Sequence, residues 1–411
     1  MPNLALLGGT PVRTKPMPGW PYSDEREVEA VSAVVRSGKW FRYDGGNVAA
    51  FEEAFAKAHG AEHAIAVTNG TAALEIPLAV MGVGPGDEVI VPSYTFIATA
   101  SAALVHGAAP VFVDVEPDTY NMDPKCFEAA ITERTKAVVP VHFAGMPCDM
   151  DAITAIAKKH GIYVLEDAAH AHGGAYKGRM MGSIGDASGF SFQASKNITA
   201  GEGGAILTSD AVLAEKMFSR HTFGRMPGRP WYEHHVVGTN ARLTEMQAAI
   251  LLVQLGRMER QAEERLVNAA ALDNAINDFT GDLSAMRALD SGTAKRAYHL
   301  YMFKYLGGGA LAGVPRAAFA QALRAEGVPV SEGYDMPLYK QAMFENAPRS
   351  VKQQVSHSAL VQPVAEKACA ESLWFAQSVL LGDGDCADDI VTAFGKIISN
   401  ADELRAYAKG A

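Results

Sequence analysis

The sequence is short of the features that mark secreted, membrane and fibrous proteins. Its four cysteines (Cys126, Cys148, Cys369, Cys386) are scattered over 411 residues and form no CxxC pair. That argues against a disulfide framework and for reduced thiols. No apolar run approaches the ~20 residues needed to span a bilayer. Leu4-Ala5-Leu6-Leu7 is too short for a signal core and lacks its basic flank. No long basic run is present, and 36 Lys and Arg against 46 Asp and Glu leave a net charge of −10, which speaks against general nucleic-acid binding. Internal repeats and low-complexity tracts are also missing. The expectation is a globular, cytoplasmic protein with neither membrane nor nucleic-acid partners.

What is present suits a large α/β protein. The chain is 48% apolar and 20% charged, and it is long enough for two domains with a substantial core. Residues 1–25, rich in Pro and Gly, read as an extended arm. Residues 26–250 read as a large domain and 251–411 as a smaller α+β domain. A helix is expected over 24–37, with Val28, Val31, Val34 and Val35 on one face and Gly38 ending it. The stretch Trp40-Phe41-Arg42-Tyr43-Asp44-Gly45-Gly46 is either a pocket loop or a packed turn.

Apolar runs at 64–67, 88–91, 109–113, 137–141, 163–166, 188–192 and 205–208 read as buried strands. Helical patterns at 71–81, 95–106, 124–131 and 151–160 lie between them. This alternation predicts a mostly parallel sheet covered on both faces, with one hairpin-like or edge element where the last two strands lie close together. A long amphipathic stretch over 241–280 leads to a strand at 298–305, a helix at 316–326 and a final helix at 388–407.

Ligands of open parallel sheets bind beyond the carboxyl ends of the strands, so the residues there are the candidates. Thr68-Asn69-Gly70-Thr71-Ala72-Ala73 follows one strand and opens a helix, an arrangement that suits an anion. Pro92-Ser93-Tyr94-Thr95-Phe96 offers an aromatic to cover a flat ring. Asp167 follows the strand at 163–166, with His170 and His172 beyond it. Those three could also be read as a metal site, but no further ligand cluster supports it and no metal is expected. Lys196 lies between Ser191-Phe192-Gln193 and the glycine-rich turn Gly201-Glu202-Gly203-Gly204. Pyridoxal phosphate needs an amine for its aldehyde, a carboxylate for its ring nitrogen, a flat cover and a phosphate cup. Lys196, Asp167, Phe96 and Asn69-Gly70-Thr71 supply all four.

At these residues the chain resembles the DegT/DnrJ/StrS family of sugar and cyclitol aminotransferases. Four ordered segments carry the likeness: 67–74, 84–92, 166–170 and 190–204. The resemblance implies the aspartate aminotransferase-like fold, fold type I, with pyridoxal 5'-phosphate as cofactor. Lys196 would carry the cofactor and shuttle the proton, and Asp167 would pair with the ring nitrogen. Phe96 would stack on the ring, with His170 on its other side or at its O3′ edge. Gly70, Thr71 and Ser191 would hold the phosphate, with Gln193 beside the lysine. Asn240 would reach the neighbouring subunit's cofactor, implying a homodimer with shared active sites. Trp40, Arg42, Tyr43, His299 and Tyr339 match the family's pocket segments and are the candidate substrate contacts.

The lysine favours transamination over the dehydration carried out by relatives that have histidine in its place. Gln193-Ala194-Ser195, where nucleotide-sugar enzymes often have His-Pro-Thr, together with Pro140-Val141-His142-Phe143-Ala144-Gly145, is similar to the cyclitol branch. The implied reaction moves an amino group from L-glutamine or L-glutamate to a keto-cyclitol or keto-sugar in natural-product biosynthesis. Its rivals are nucleotide-sugar amination, 3-amino-5-hydroxybenzoate synthesis and a cofactor-binding regulator without turnover. A nicotinamide dehydrogenase is disfavoured because Leu7-Gly8-Gly9-Thr10 is not GxGxxG.

Overall fold

A computed structural model describes residues 3–288, 294–346, 360–382 and 384–410. In chain order the first part comprises α1 (Glu25–Ser37), α2 (Asn47–His59), β1 (His63–Val67), α3 (Gly70–Val80), β2 (Glu88–Pro92), α4 (Ala98–Leu104), β3 (Ala109–Val113), α5 (Pro124–Ala129), β4 (Thr135–Val138), α6 (Met150–His160) and β5 (Tyr163–Asp167). A short hairpin of β6 (Ala175–Tyr176) and β7 (Arg179–Met180), which the sequence pattern did not suggest, precedes β8 (Ala187–Ser191), β9 (Gly204–Thr208) and α7 (Ala211–His221).

Seven of these strands form one sheet in the order β1-β9-β8-β5-β4-β2-β3. The neighbours from β8 through β5, β4 and β2 to β3 are parallel. Only β9 runs against its neighbours β1 and β8. The antiparallel element is therefore internal, and the chain segment that enters it carries Lys196. Strands β2, β8 and β9 are buried at every residue, as continuous apolar runs covered on both faces should be.

The expected long segments are broken at identifiable places. The stretch 241–280 is two helices, α8 (Glu245–Leu255) and α9 (Met258–Ile276), parted at Gly256-Arg257. There the Arg257 guanidinium turns to Glu27 and Asp24 around the start of α1. The expected division at 250 falls inside α8. The helix expected over 95–106 begins only at Ala98, because Ser93 to Ile97 form the turn that leaves Phe96 exposed. The last helix is two, Gly384–Ser399 and Ala401–Gly410. Between them the Asn400 side chain donates to the Lys396 carbonyl at 2.7 Å, and local side-chain bonding of this kind competes with the helical ladder.

The second sheet, β10 (Leu283–Ala285), β11 (Leu300–Tyr305) and β12 (Ser372–Ala376), is antiparallel. It packs with α9, α10 (Arg316–Ala325) and the helix Gly384–Ser399 around Phe303, Phe319, Phe375 and Phe394. Leu4 of the N-terminal arm is wholly buried in the same core. The Glu326 carboxylate fastens the arm by accepting from Ala5 N at 2.9 Å and Val12 N at 3.0 Å. Among the described residues no helix is long and apolar enough to cross a membrane.

Candidate active site

The carboxyl ends of β1, β5 and β8 open onto a cavity of about 530 Å³, lined by Asn69, Gly70, Thr71, Phe96, Asp167, His170, Ser191, Gln193, Lys196 and His299 among others. Eight residues given cofactor roles from the sequence meet here: Gly70, Thr71, Phe96, Asp167, His170, Ser191, Gln193 and Lys196. His299, a candidate substrate contact, joins them.

Lys196 sits on the connection between β8 and β9, whose ends are tied together. Phe192 N donates to Gly203 O at 2.8 Å, and Thr199 Oγ1 donates to Phe192 O at 2.9 Å. Burial lowers the pKa of the lysine to about 8, against the pull of Asp167, which favours its charged form. An amine held there has a substantial neutral, nucleophilic fraction near neutrality.

Asp167 ends β5 and is 5% exposed. Its Oδ2 accepts from Thr99 Oγ1 at 2.7 Å and its Oδ1 from Ala169 N at 3.2 Å. Burial raises its pKa, while these bonds and Lys196 favour the carboxylate. The preceding residue, Glu166, is also buried and serves a different purpose. It accepts from His142 Nε2 at 2.8 Å and from the N–H groups of Gly182, Ile184 and Gly185 at 2.7–2.8 Å. Burial alone would raise the pKa of Glu166, but these bonds outweigh it and the net shift is downward.

The cup lies at the start of α3. Asn69 Oδ1 caps the helix by accepting from Ala72 N at 2.8 Å, which leaves the Gly70 and Thr71 N–H groups in the first turn without intrahelical acceptors. A Cβ on Gly70 would lie 2.7 Å from Ser191 Cβ, so only glycine lets the helix start press against the end of β8. Gln193 Oε1 is taken up by Ser195 N at 2.9 Å and Ser195 Oγ at 2.8 Å. Its amide nitrogen remains for the cavity.

The other candidates lie elsewhere in the chain. Arg42 holds both oxygens of Glu52 at 3.0 Å and meets His221 Nε2 at 2.9 Å. The Tyr43 hydroxyl donates to Thr222 Oγ1 at 3.2 Å, and Trp40 is exposed with its Nε1 on Val35 O. Asn240 is exposed beside Thr222. Tyr339 is buried and donates to Glu366 Oε1 at 2.6 Å. His172 packs on Phe190 and Phe192, ring centroids 5.3 and 5.7 Å away, and does not line the cavity with Asp167 and His170.

Sequence reasoning passed over Thr99, Tyr334, Trp374 and Glu202. Thr99 had a usable signal, since it follows the strand-end turn and lies one helical turn beyond Thr95. Tyr334 and Trp374 come from the C-terminal domain, and nothing local announces them.

These residues fit pyridoxal phosphate. A partly neutral amine, a buried carboxylate fixed by two donors, an exposed phenyl ring and a helix start shaped by an obligatory glycine surround one cavity. A model of the DegT/DnrJ/EryC1/StrS aminotransferase family matches residues 21–394. The L-glutamine:2-deoxy-scyllo-inosose aminotransferase of Streptomyces paromomycinus is 38% identical over 420 residues, covering 96% of this chain and 97% of that one. The 3-amino-5-hydroxybenzoate synthase of Amycolatopsis mediterranei (strain S699) is 39% identical over 370 residues, covering 89% and 92%. A crystal structure of 3-amino-5-hydroxybenzoic acid synthase superposes with a TM-score of 0.84 at 36% identity, covering 94% of this chain and 99% of that one.

Proposed function

The chain belongs to the DegT/DnrJ/EryC1/StrS aminotransferase family, and from that premise we propose that it carries an amino group from L-glutamine or L-glutamate to the ketone of a polyhydroxylated carbocycle. It is a pyridoxal-phosphate-dependent aminotransferase of fold type I. The observation that carries the reading is the placement of Lys196 and Asp167 on one cavity with the start of α3. For the acceptor, support comes from the near-full-length likeness to the Streptomyces enzyme and from the hydrogen-bonding groups on the cavity wall, Thr95, Gln193, Ser195, His299 and Tyr334, with Glu202 beside them.

When bound, the cofactor supplies an aldehyde that takes up amines and a ring that withdraws electrons from the reacting carbon. The protein does the rest. Gly70, Thr71 and Ser191 would hold the phosphate, and Phe96 would cover the ring. Asp167 would hold a proton on the ring nitrogen. Lys196 Nζ would be the base that moves the proton between the substrate carbon and the aldehyde carbon of the cofactor, the shift that amino transfer requires.

Among the described residues lining the cavity Lys196 is the only cation, so the carboxylate of an amino-acid donor needs another source of positive charge. We infer that a second copy provides it. The segment 222–242 presents Trp231, Tyr232 and Val237 to solvent, with Arg225 against Trp231 and Arg242 against Phe41 and Phe223. Asn240 lies on it. Such an exposed apolar face suits a homodimer with shared sites. Four free cysteines agree with a cytoplasmic setting.

The likeness to the Amycolatopsis enzyme favours one second reading, 3-amino-5-hydroxybenzoate synthesis on a dehydroshikimate-type acid, a different reaction on the same scaffold. The test is a competition. The protein is given glutamine with a mixture of inosose-type ketones, a nucleotide-linked keto-sugar and a dehydroshikimate-type acid, and products are read by mass spectrometry. Amine on the inosose-type ring is the expected result; exclusive amination of either other acceptor would overturn it.

A further inference from the structure

His170 and His299 are 7% and 5% exposed and stack with ring centroids 4.1 Å apart and planes at 30°. Each spends one ring nitrogen inside the protein. Ala144 N–H donates to His170 Nδ1 at 3.2 Å, so that nitrogen holds a lone pair and the proton lies on Nε2. Asn197 Nδ2 donates to Ala297 O at 2.8 Å, which turns its Oδ1 toward His299 Nδ1 at 3.2 Å. An oxygen at that nitrogen requires the proton on Nδ1 and leaves a lone pair on Nε2. Neither Nε2 meets a partner among the described residues, and both rings line the cavity. Burial, with Lys196 adding to it, depresses both pKa values far below the usual histidine range, so both rings are neutral.

The parts that fix these rings are held in uncommon backbone conformations. Ala144 and Tyr298, the residue before His299, have φ of 57° and 48°. Gly145 has φ of 85°, and a Cβ on it would come within 2.6 Å of Tyr298 N. Non-glycine residues adopt such angles at a cost and cluster where geometry matters.

We propose that His299, locked by Asn197 as its Nδ1–H tautomer, is a specificity-determining residue whose Nε2 accepts a hydroxyl of the acceptor ring beside its ketone. The proposal rests on the carbocyclic-ketone reading above and adds to it the group that is recognised. A ring with a hydroxyl there meets the lone pair that faces the cavity; a ring with only CH2 covers it without a donor, and a site built around a hydrogen bond rejects such analogues strongly. The neighbouring His170 presents the opposite polarity, an N–H, so exchanging the two tautomers would exchange the pattern recognised.

The test compares wild type, His299→Phe and His299→Gln on two cyclic ketones that differ only in the hydroxyl next to the carbonyl. For His299→Phe, the loss of kcat/KM on the hydroxylated ketone should exceed the loss on the deoxy ketone about a hundredfold, mostly through KM. His299→Gln, whose amide oxygen can accept, should recover part of the loss. Unchanged discrimination in His299→Phe, or equal loss on both ketones, would overturn the proposal. Independently, 15N spectra of the cofactor-free protein should show His299 protonated at Nδ1; protonation at Nε2 would overturn it too. If wild type aminates no cyclic ketone, the functional reading fails, and the spectra still decide the tautomer.

Discussion

Thr99 Oγ1 donates to Asp167 Oδ2 at 2.7 Å, tying the first turn of α4 to the carboxyl end of β5. Without that bond, burial would push the pKa of Asp167 further upward. Thr99→Val should therefore lower kcat about tenfold, the equivalent of about 1.4 kcal/mol, and move the acid limb of the pH–rate profile to higher pH. Thr99→Ser should restore most of both. An unmoved acid limb in Thr99→Val would count against this role.

Lys196→Ala should abolish turnover and the visible absorption of the lysine-bound cofactor. A finer check uses the pKa of about 8. Only the neutral amine attacks an aldehyde, so the rate of cofactor uptake by the cofactor-free protein should rise with pH and level off above about 8. Stopped-flow absorbance across pH 6 to 10 measures it.

At the cup, Gly70→Ala places a methyl group against Ser191. Cofactor dissociation constants from fluorescence titration should rise tenfold or more, while circular dichroism stays close to wild type because Gly70 begins a helix whose conformation alanine readily adopts.

The buried pair of His142 and Glu166 governs stability in acid. Glu166 has a folded pKa below its ordinary value of 4.5. Its contribution is present above that value and is lost as pH falls through the folded pKa. Glu166→Gln should lower the melting temperature at pH 7 and flatten its dependence on pH below about 4.5. His142→Ala, which leaves the carboxylate short of one donor, should cost about 1–3 kcal/mol in urea unfolding at pH 7.

Shared sites predict complementation. Asn240→Ala and Lys196→Ala, each impaired alone, should regain activity when mixed under conditions of subunit exchange, because one site of the mixed dimer keeps both residues. Light scattering should give twice the chain mass of 43.6 kDa. A mixture no more active than its components would argue against Asn240 acting across the interface.

The legible part of the site is the part set by strand ends. Asn69-Gly70, Asp167 and Lys196 each adjoin a run of apolar residues, and one sheet edge gathers them whatever the rest of the chain does. Trp40, Arg42, Tyr43 and Tyr339 illustrate the limit. Their residue types suit a pocket, yet Arg42 is consumed by Glu52 and His221, and Tyr339 by Glu366. These partners stand 10, 179 and 27 residues away, on other elements, and leave no trace in local pattern. The tautomers of His170 and His299 were equally hidden, because a backbone N–H and the rotation of an amide decide them.

The connection that bears Lys196 is anchored at both ends in interior strands of a sheet, and Asn197 fastens it to the C-terminal domain through Ala297. Its backbone is pinned at both ends by strand pairing and by the Thr199 and Asn197 side chains. All the travel between successive amines then falls to the four methylenes of one side chain, whose rotations take picoseconds to nanoseconds when unhindered. A kcat that does not change with solvent viscosity would place the slow step in the proton transfer at Lys196 Nζ and not in product release.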